Sequence, residues 1–122
     1  MVVGEHWKNE PEDHDYPAAK SYLSLIVDPD EAKRLVRRLK EQANVEHFAA
    51  KDIIRASGLG CLPIDDPEVH ADLAKVHAGE RLSPVLLVRG SPLWIADGYH
   101  RVCVSYHIDP KTMVPARIVD RI

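Results

Sequence analysis

At Gly79 the hydrophobic pattern of the chain changes period, and no other feature limits its possible folds as much. Before Gly79, apolar residues recur at helical spacing. Asp28-Pro29-Asp30-Glu31 sets an N-cap carboxylate, a first-turn proline and an acidic first turn in order. Ala32, Leu35, Val36 and Leu39 then mark one face of a helix running to about Gln42. Its other face carries Lys33, Arg34, Arg37, Arg38 and Lys40. This is expected to be a solvated surface, the sharper alternative being a patch for phosphate or an acidic partner. Phe48 to Ser57 reads as a second, short helix stopped by Gly58. Asp65-Asp66-Pro67-Glu68 opens a third, with Val69, Leu73 and Val76 inward and Gly79 as its stop. Upstream, Pro17 suits the start of a helix capped from Asp15 or Tyr16, with Ala18, Tyr22, Leu25 and Ile26 on one face. Tyr22 to Val27 also reads as a strand; the helix is preferred.

After Gly79 the apolar runs are short and unbroken. Pro84 to Val88 suits a strand buried on both faces. Arg89-Gly90-Ser91-Pro92 is turn chemistry, and Leu93 to Ala96 is a second strand. Asp97-Gly98 breaks the pattern, His100 to His107 reads as a helix, and Met113 to Val119 is a last strand. The expected fold is a mixed α/β (α+β) domain, a small sheet with preceding helices. With 122 residues, 45% of them hydrophobic, the chain can bury one core. Residues 17–122 are therefore expected to form one domain, behind a flexible acidic arm over residues 1–16. The net charge of -3 argues against coating nucleic acid. No apolar run is long enough to span a membrane and no export signal is present, so no membrane partner is expected. The two cysteines, Cys61 and Cys103, lack CxxC spacing, which suits reduced thiols in a cytoplasmic setting.

A strand that ends in Asp-Gly and runs into a helix makes an anion site. The first N–H groups of the helix lack internal partners, and its dipole adds partial positive charge. Gly98 lets backbone approach a phosphate, and Arg101 can offer it two donors, with His100 beside it. An arginine in a first turn is electrostatically misplaced unless an anion or carboxylate accompanies it. Asp97 is expected to cap the helix, its alternative use being a magnesium-side carboxylate. His100, Cys103 and His107 lie at i, i+3 and i+7, a spacing open to a soft metal, but three ligands from one helix rarely converge. Cys103 and Trp94 read as core and His70 and His77 as surface, although Trp94 and Tyr99 could stack on a base. There is no P-loop, dinucleotide fingerprint, HExxH or GxSxG.

Leu82 to Val88, then Leu93-Trp94-Ile95-Ala96-Asp97-Gly98-Tyr99-His100-Arg101, then Val114 to Val119 resemble the core of the ParB/sulfiredoxin fold over about a third of the chain. The resemblance implies that Gly98, His100 and Arg101 match that family's phosphate-binding turn. ParB-like CTPases carry Gly-Glu-Arg-Arg there and sulfiredoxins Gly-Cys-His-Arg. Tyr99 stands at the position of the catalytic cysteine, so cysteine-based reduction is not expected. The Asp-Gly-His-His-Arg turn of the superfamily's free-serine kinases is nearest; those kinases use a His-Glu pair near the N-terminus as base, to which His14-Asp15 is the comparable pair. By this resemblance Asp97, Gly98, Tyr99, His100 and Arg101 bind a nucleotide triphosphate or phosphorylated small molecule, with magnesium as a possible companion. The implied activity is nucleotide hydrolysis or small-molecule phosphorylation. The alternatives are a non-catalytic regulatory or DNA-associated protein of the same fold, and an interaction protein with a degenerate turn. No helix-turn-helix module is expected after the last strand. A homodimer stays open, with the N-terminal helices as its interface or as a lid.

Overall fold

Leu86 and Val88 face one way from their strand and Val85 and Leu87 the other, and all four are buried. That strand, β2 (Val85–Arg89), is central to the computed structural model, which describes residues 6–121. Among these residues the order is α1 (Asp15–Leu23), α2 (Pro29–Glu41), β1 (Val45–Ala49), α3 (Ala50–Ser57), α4 (Pro67–His77), β2, β3 (Trp94–Asp97), α5 (Tyr99–Ile108) and β4 (Met113–Asp120). The sheet order is β1-β4-β2-β3; β4 runs parallel to β2, and the other two pairings are antiparallel. The class is mixed α+β, as expected.

The sheet separates two cores. Val85, Leu87, Val114 and Ala116 pack with Ile53 of α3, Val69 and Val76 of α4 and Val102 and Val104 of α5. Leu86, Val88, Ala96 and Val119 pack with Ala19 and Leu23 of α1 and Ala32, Leu35 and Leu39 of α2. Each fully buried Leu or Val side chain contributes about 1.5–3 kcal/mol, so a central strand feeding both cores anchors the fold. The two Asp-Pro starts behave as their chemistry dictates. The Asp28 carboxylate accepts from the Asp30 and Glu31 N–H groups, and that of Asp66 from Glu68 and Val69. Gly58 takes φ 71°, closing α3 in the left-handed conformation.

Three expectations are corrected. First, α1 runs from Asp15 to Leu23 and buries Tyr16, Ala19 and Leu23, not Ala18, Tyr22, Leu25 and Ile26. Leu25 is 86% exposed because the helix ends before it. Second, Val45–Ala49 is an edge strand where the helix was expected to begin at Phe48. Its pairing with Met113 to Arg117 of β4 overrides a weak local pattern. Third, the expected flexible arm is part of the fold from residue 6 onward; residues 1–5 lie outside the described residues. His6 and Trp7 are buried, Leu82 N–H donates to His6 O, and Lys8 N–H donates to Leu82 O. The basic face of α2 is mostly as expected: Lys33, Arg34, Arg37 and Lys40 are exposed and Arg34 pairs with Glu31, but Arg38 is half-buried and its Nη1 donates to Asp120 O at 2.8 Å. Among the described residues no helix is long and apolar enough to cross a membrane.

Candidate functional site

The strand-to-helix turn forms where expected. Gly98 sits at φ 103°, and a Cβ there would come 2.8 Å from Val85 Cβ and 2.9 Å from Arg101 Nη2. Glycine is required both for the left-handed backbone and for close packing on β2. Its neighbour Asp97 does not cap α5; no side chain does. The expected capping role is corrected because the Asp97 carboxylate is drawn to Arg101, whose Nη2 donates to Asp97 Oδ2 at 3.0 Å.

Arg101 is thus supplied with carboxylates by the fold itself. Its Nη2 also donates to Pro84 O at 3.3 Å, and its Nη1 lies 3.9 Å from Asp15 Oδ1. The α1 residue Asp15 is buried and accepts from Glu12 N–H at 2.9 Å. Burial pushes the Asp97 carboxyl above the usual carboxylate range. Arg101 opposes that rise and the neighbouring Asp15 adds to it. The sequence offered Asp15 as a helix cap and as half of a loosely comparable His-Asp pair, whereas the packing of α1 on β3 brings it to the turn.

His100 Nδ1 lies 2.9 Å from Glu68 Oε2, joining the first turns of α5 and α4. Between these helices is a cleft of about 350 Å³, lined by Asp97, Gly98, His100 and Arg101 and, from α4, by Glu68, Asp72 and Lys75. Lys75, Asp72 and Arg101 also border an adjoining depression of about 190 Å³, lined in addition by Lys8, Glu12, His14, Glu80 and Arg81. Lys75 belongs to the cleft yet was not a candidate, since a lysine in a helix resembles any solvated cation until α4 docks against α5.

Tyr99 does not line the cleft. Its hydroxyl donates to Gly60 O, and burial raises its pKa. The possible metal set is not assembled either: His100 turns to Glu68, while His107 Nε2 donates to Leu62 O at 2.6 Å. Cys103 is wholly buried and its sulfur accepts from Leu62 N–H. Burial, with Cys103 beside it, pushes the Cys61 thiol up to about 12, so it stays protonated and weakly nucleophilic at neutral pH. Trp94 stacks on the Arg121 guanidinium, 3.6 Å from its ring centroid. His70 and His77 are exposed.

Among the described residues no three His, Cys, Asp or Glu side chains form a group able to hold a metal. Asp72 and Asp97 each face a cation and Glu68 is engaged by His100, so the donor set does not fit a resident magnesium ion. Compared with protein-family models, curated proteins and solved structures, the chain matches none.

Proposed function

We propose that the cleft between α4 and α5 binds a phosphate-bearing small molecule, in the first instance a nucleotide, as the likeness to the ParB/sulfiredoxin turn implies. One observation carries this reading: the first turn of α5 has no side-chain cap and borders an open cleft that also presents His100, Arg101 and Lys75. Uncapped N–H groups and the helix dipole favour an anion there. The adjoining depression adds Arg81 and a Lys8 that is paired with Glu12, but Asp72 and Glu80 line it too, so the cleft itself is the anion site.

A second reading, a non-catalytic regulatory protein, is favoured by the engagement of every cleft carboxylate by a neighbouring basic side chain. The Asp15 side chain is only 2% exposed and lies against Arg101, where it positions the guanidinium and does not reach a substrate. A general base for phosphotransfer needs hydrogen-bond reach to the attacking group.

Thermal midpoints with ATP, CTP, GTP and inorganic phosphate, each with and without Mg²⁺, test binding. A ligand at a hundred times its Kd stabilises the fold by about 2.7 kcal/mol. Lys75→Ala and His100→Ala should fold as the wild type does and shrink the shift. If no nucleotide or phosphate moves the midpoint at millimolar concentration, the proposal is wrong. Release of phosphate from a bound nucleotide would overturn the non-catalytic reading.

A further inference from the structure

Among the described residues a cavity larger than the α5 cleft lies away from the turn. It measures about 540 Å³ and lies where Trp7 and Asn9 pass the loop before β4 and one corner of the sheet. Small-molecule sites typically enclose about 300–1,000 Å³, with mainly apolar walls and a few polar groups. Here the pairing of His47 with Pro115 and of Ala49 with Met113 sets Val45, His47, Met113 and Pro115 on one face of the sheet. On that face α1 and α2 cover β2, β3 and the end of β4. The corner made by β1 and the start of β4 lines the cavity instead.

Two buried polar side chains in its wall have no hydrogen-bond partner among the described residues: Trp7 Nε1, in a residue 4% exposed, and Thr112 Oγ1, in a residue 2% exposed. Folded proteins rarely leave such groups unmet, and each one calls for an explanation. The basic side chains at the rim point to the missing partner. Lys111 and His47 are exposed and form no ion pair among the described residues. The single acid there, Asp109, accepts from Lys111 N–H through its carboxylate. Lys8, also at the rim, is paired with Glu12.

We infer that this cavity is a second ligand site, built for a small organic acid: one carboxylate on an aromatic or branched apolar body. The carboxylate meets Lys111 and His47, and the body lies against Val45, Met113, Pro115 and the Trp7 indole. The Thr112 hydroxyl and the Trp7 indole N–H are closed off from the cavity in this structure and donate to the acid only when the wall opens. A free phosphate matches the rim charge and leaves the apolar wall unused.

Trp7 is itself a reporter, because the chain has two tryptophans and Trp94→Phe leaves one. In that variant, 4-phenylbutyrate should change Trp7 emission saturably. Lys111→Glu should weaken this binding by about tenfold or more, as expected for reversing an uncompensated rim charge. The neutral 4-phenylbutanol should bind more weakly and be indifferent to that substitution. Inorganic phosphate should leave Trp7 emission unchanged, which separates this site from the α5 cleft. In the unmodified protein the same acid should raise the thermal midpoint, so the test does not depend on the Trp94 variant. The inference is overturned if 4-phenylbutyrate gives no saturable signal at millimolar concentration. Equal binding to Lys111→Glu, or equal binding of phosphate, would overturn it too.

Discussion

The two clefts differ in where their unmet chemistry lies. Around α5 the basic side chains that line the cleft have internal partners: Arg101 with Asp97 and Asp15, His100 with Glu68, Lys75 with Asp72. What stays unmet there is backbone, the uncapped first turn. Around Trp7 the backbone is bonded to Leu82, while the indole N–H and the Thr112 hydroxyl find no partner among the described residues. A conspicuous constellation of charges can therefore be largely a structural device, and an inconspicuous apolar corner can border the larger cavity. Arg101 in a first turn suggested an absent anion; the carboxylates of α1 and β3 answer much of that electrostatic need.

The largest expected effect tests whether the turn is structural at all. Gly98→Ala combines a left-handed backbone with overlap against Val85, and should cost about 3 kcal/mol in urea unfolding. A loss below about 1 kcal/mol would mean that the turn relaxes freely and that Gly98 is not fixed by packing.

Next, Arg101→Ala leaves Asp97 and Asp15 facing each other without their cation. Breaking a fully buried pair costs about 3–5 kcal/mol; the Arg101 and Asp97 side chains are 16% and 17% exposed, so about 2 kcal/mol is expected. Helix-dipole repulsion alone predicts the reverse, a neutral or slightly stabilised mutant. Chemical denaturation gives the sign. A stabilised mutant would restore the α5 turn as a site waiting for an anion and erase the contrast between the clefts.

Thr112→Val keeps the side-chain shape and removes an unmet hydroxyl, so stability should be unchanged or rise by up to about 1 kcal/mol. Affinity for 4-phenylbutyrate should fall. A clear loss of stability would show that the hydroxyl has a partner in the protein.

The smallest effect is in pH dependence. Burial lowers the pKa of His6 below its ordinary 6.5, so the unfolded chain binds that proton more readily than the native one. Stability should fall as pH drops from 6.5 to the native value, and His6→Phe should flatten that window. Asp97 acts with the opposite sign at more acidic pH. Its raised pKa means that its contribution is lost as pH climbs from 3.8 through the native value, and Asp97→Asn should remove that component. Thermal unfolding followed across both windows separates the two residues.

Local chemistry was enough to specify much of this protein. The Asp-Pro caps, the helical face of α2, the glycine stops, the unbroken run of β2 and the Asp97-Gly98 break each depend on residues a few positions apart, and all appear where the sequence places them. Only tertiary structure decided the rest. β1 exists because β4 offers it a ladder across more than sixty residues, which no local propensity encodes. Asp15 reaches Arg101, and Lys75 reaches the α5 cleft, because two helices dock; Trp7 meets Thr112 at one wall because residues 6–8 lie alongside Leu82. Charge pairing and cavity shape depend on distances in space, and a sequence displays only distances along the chain.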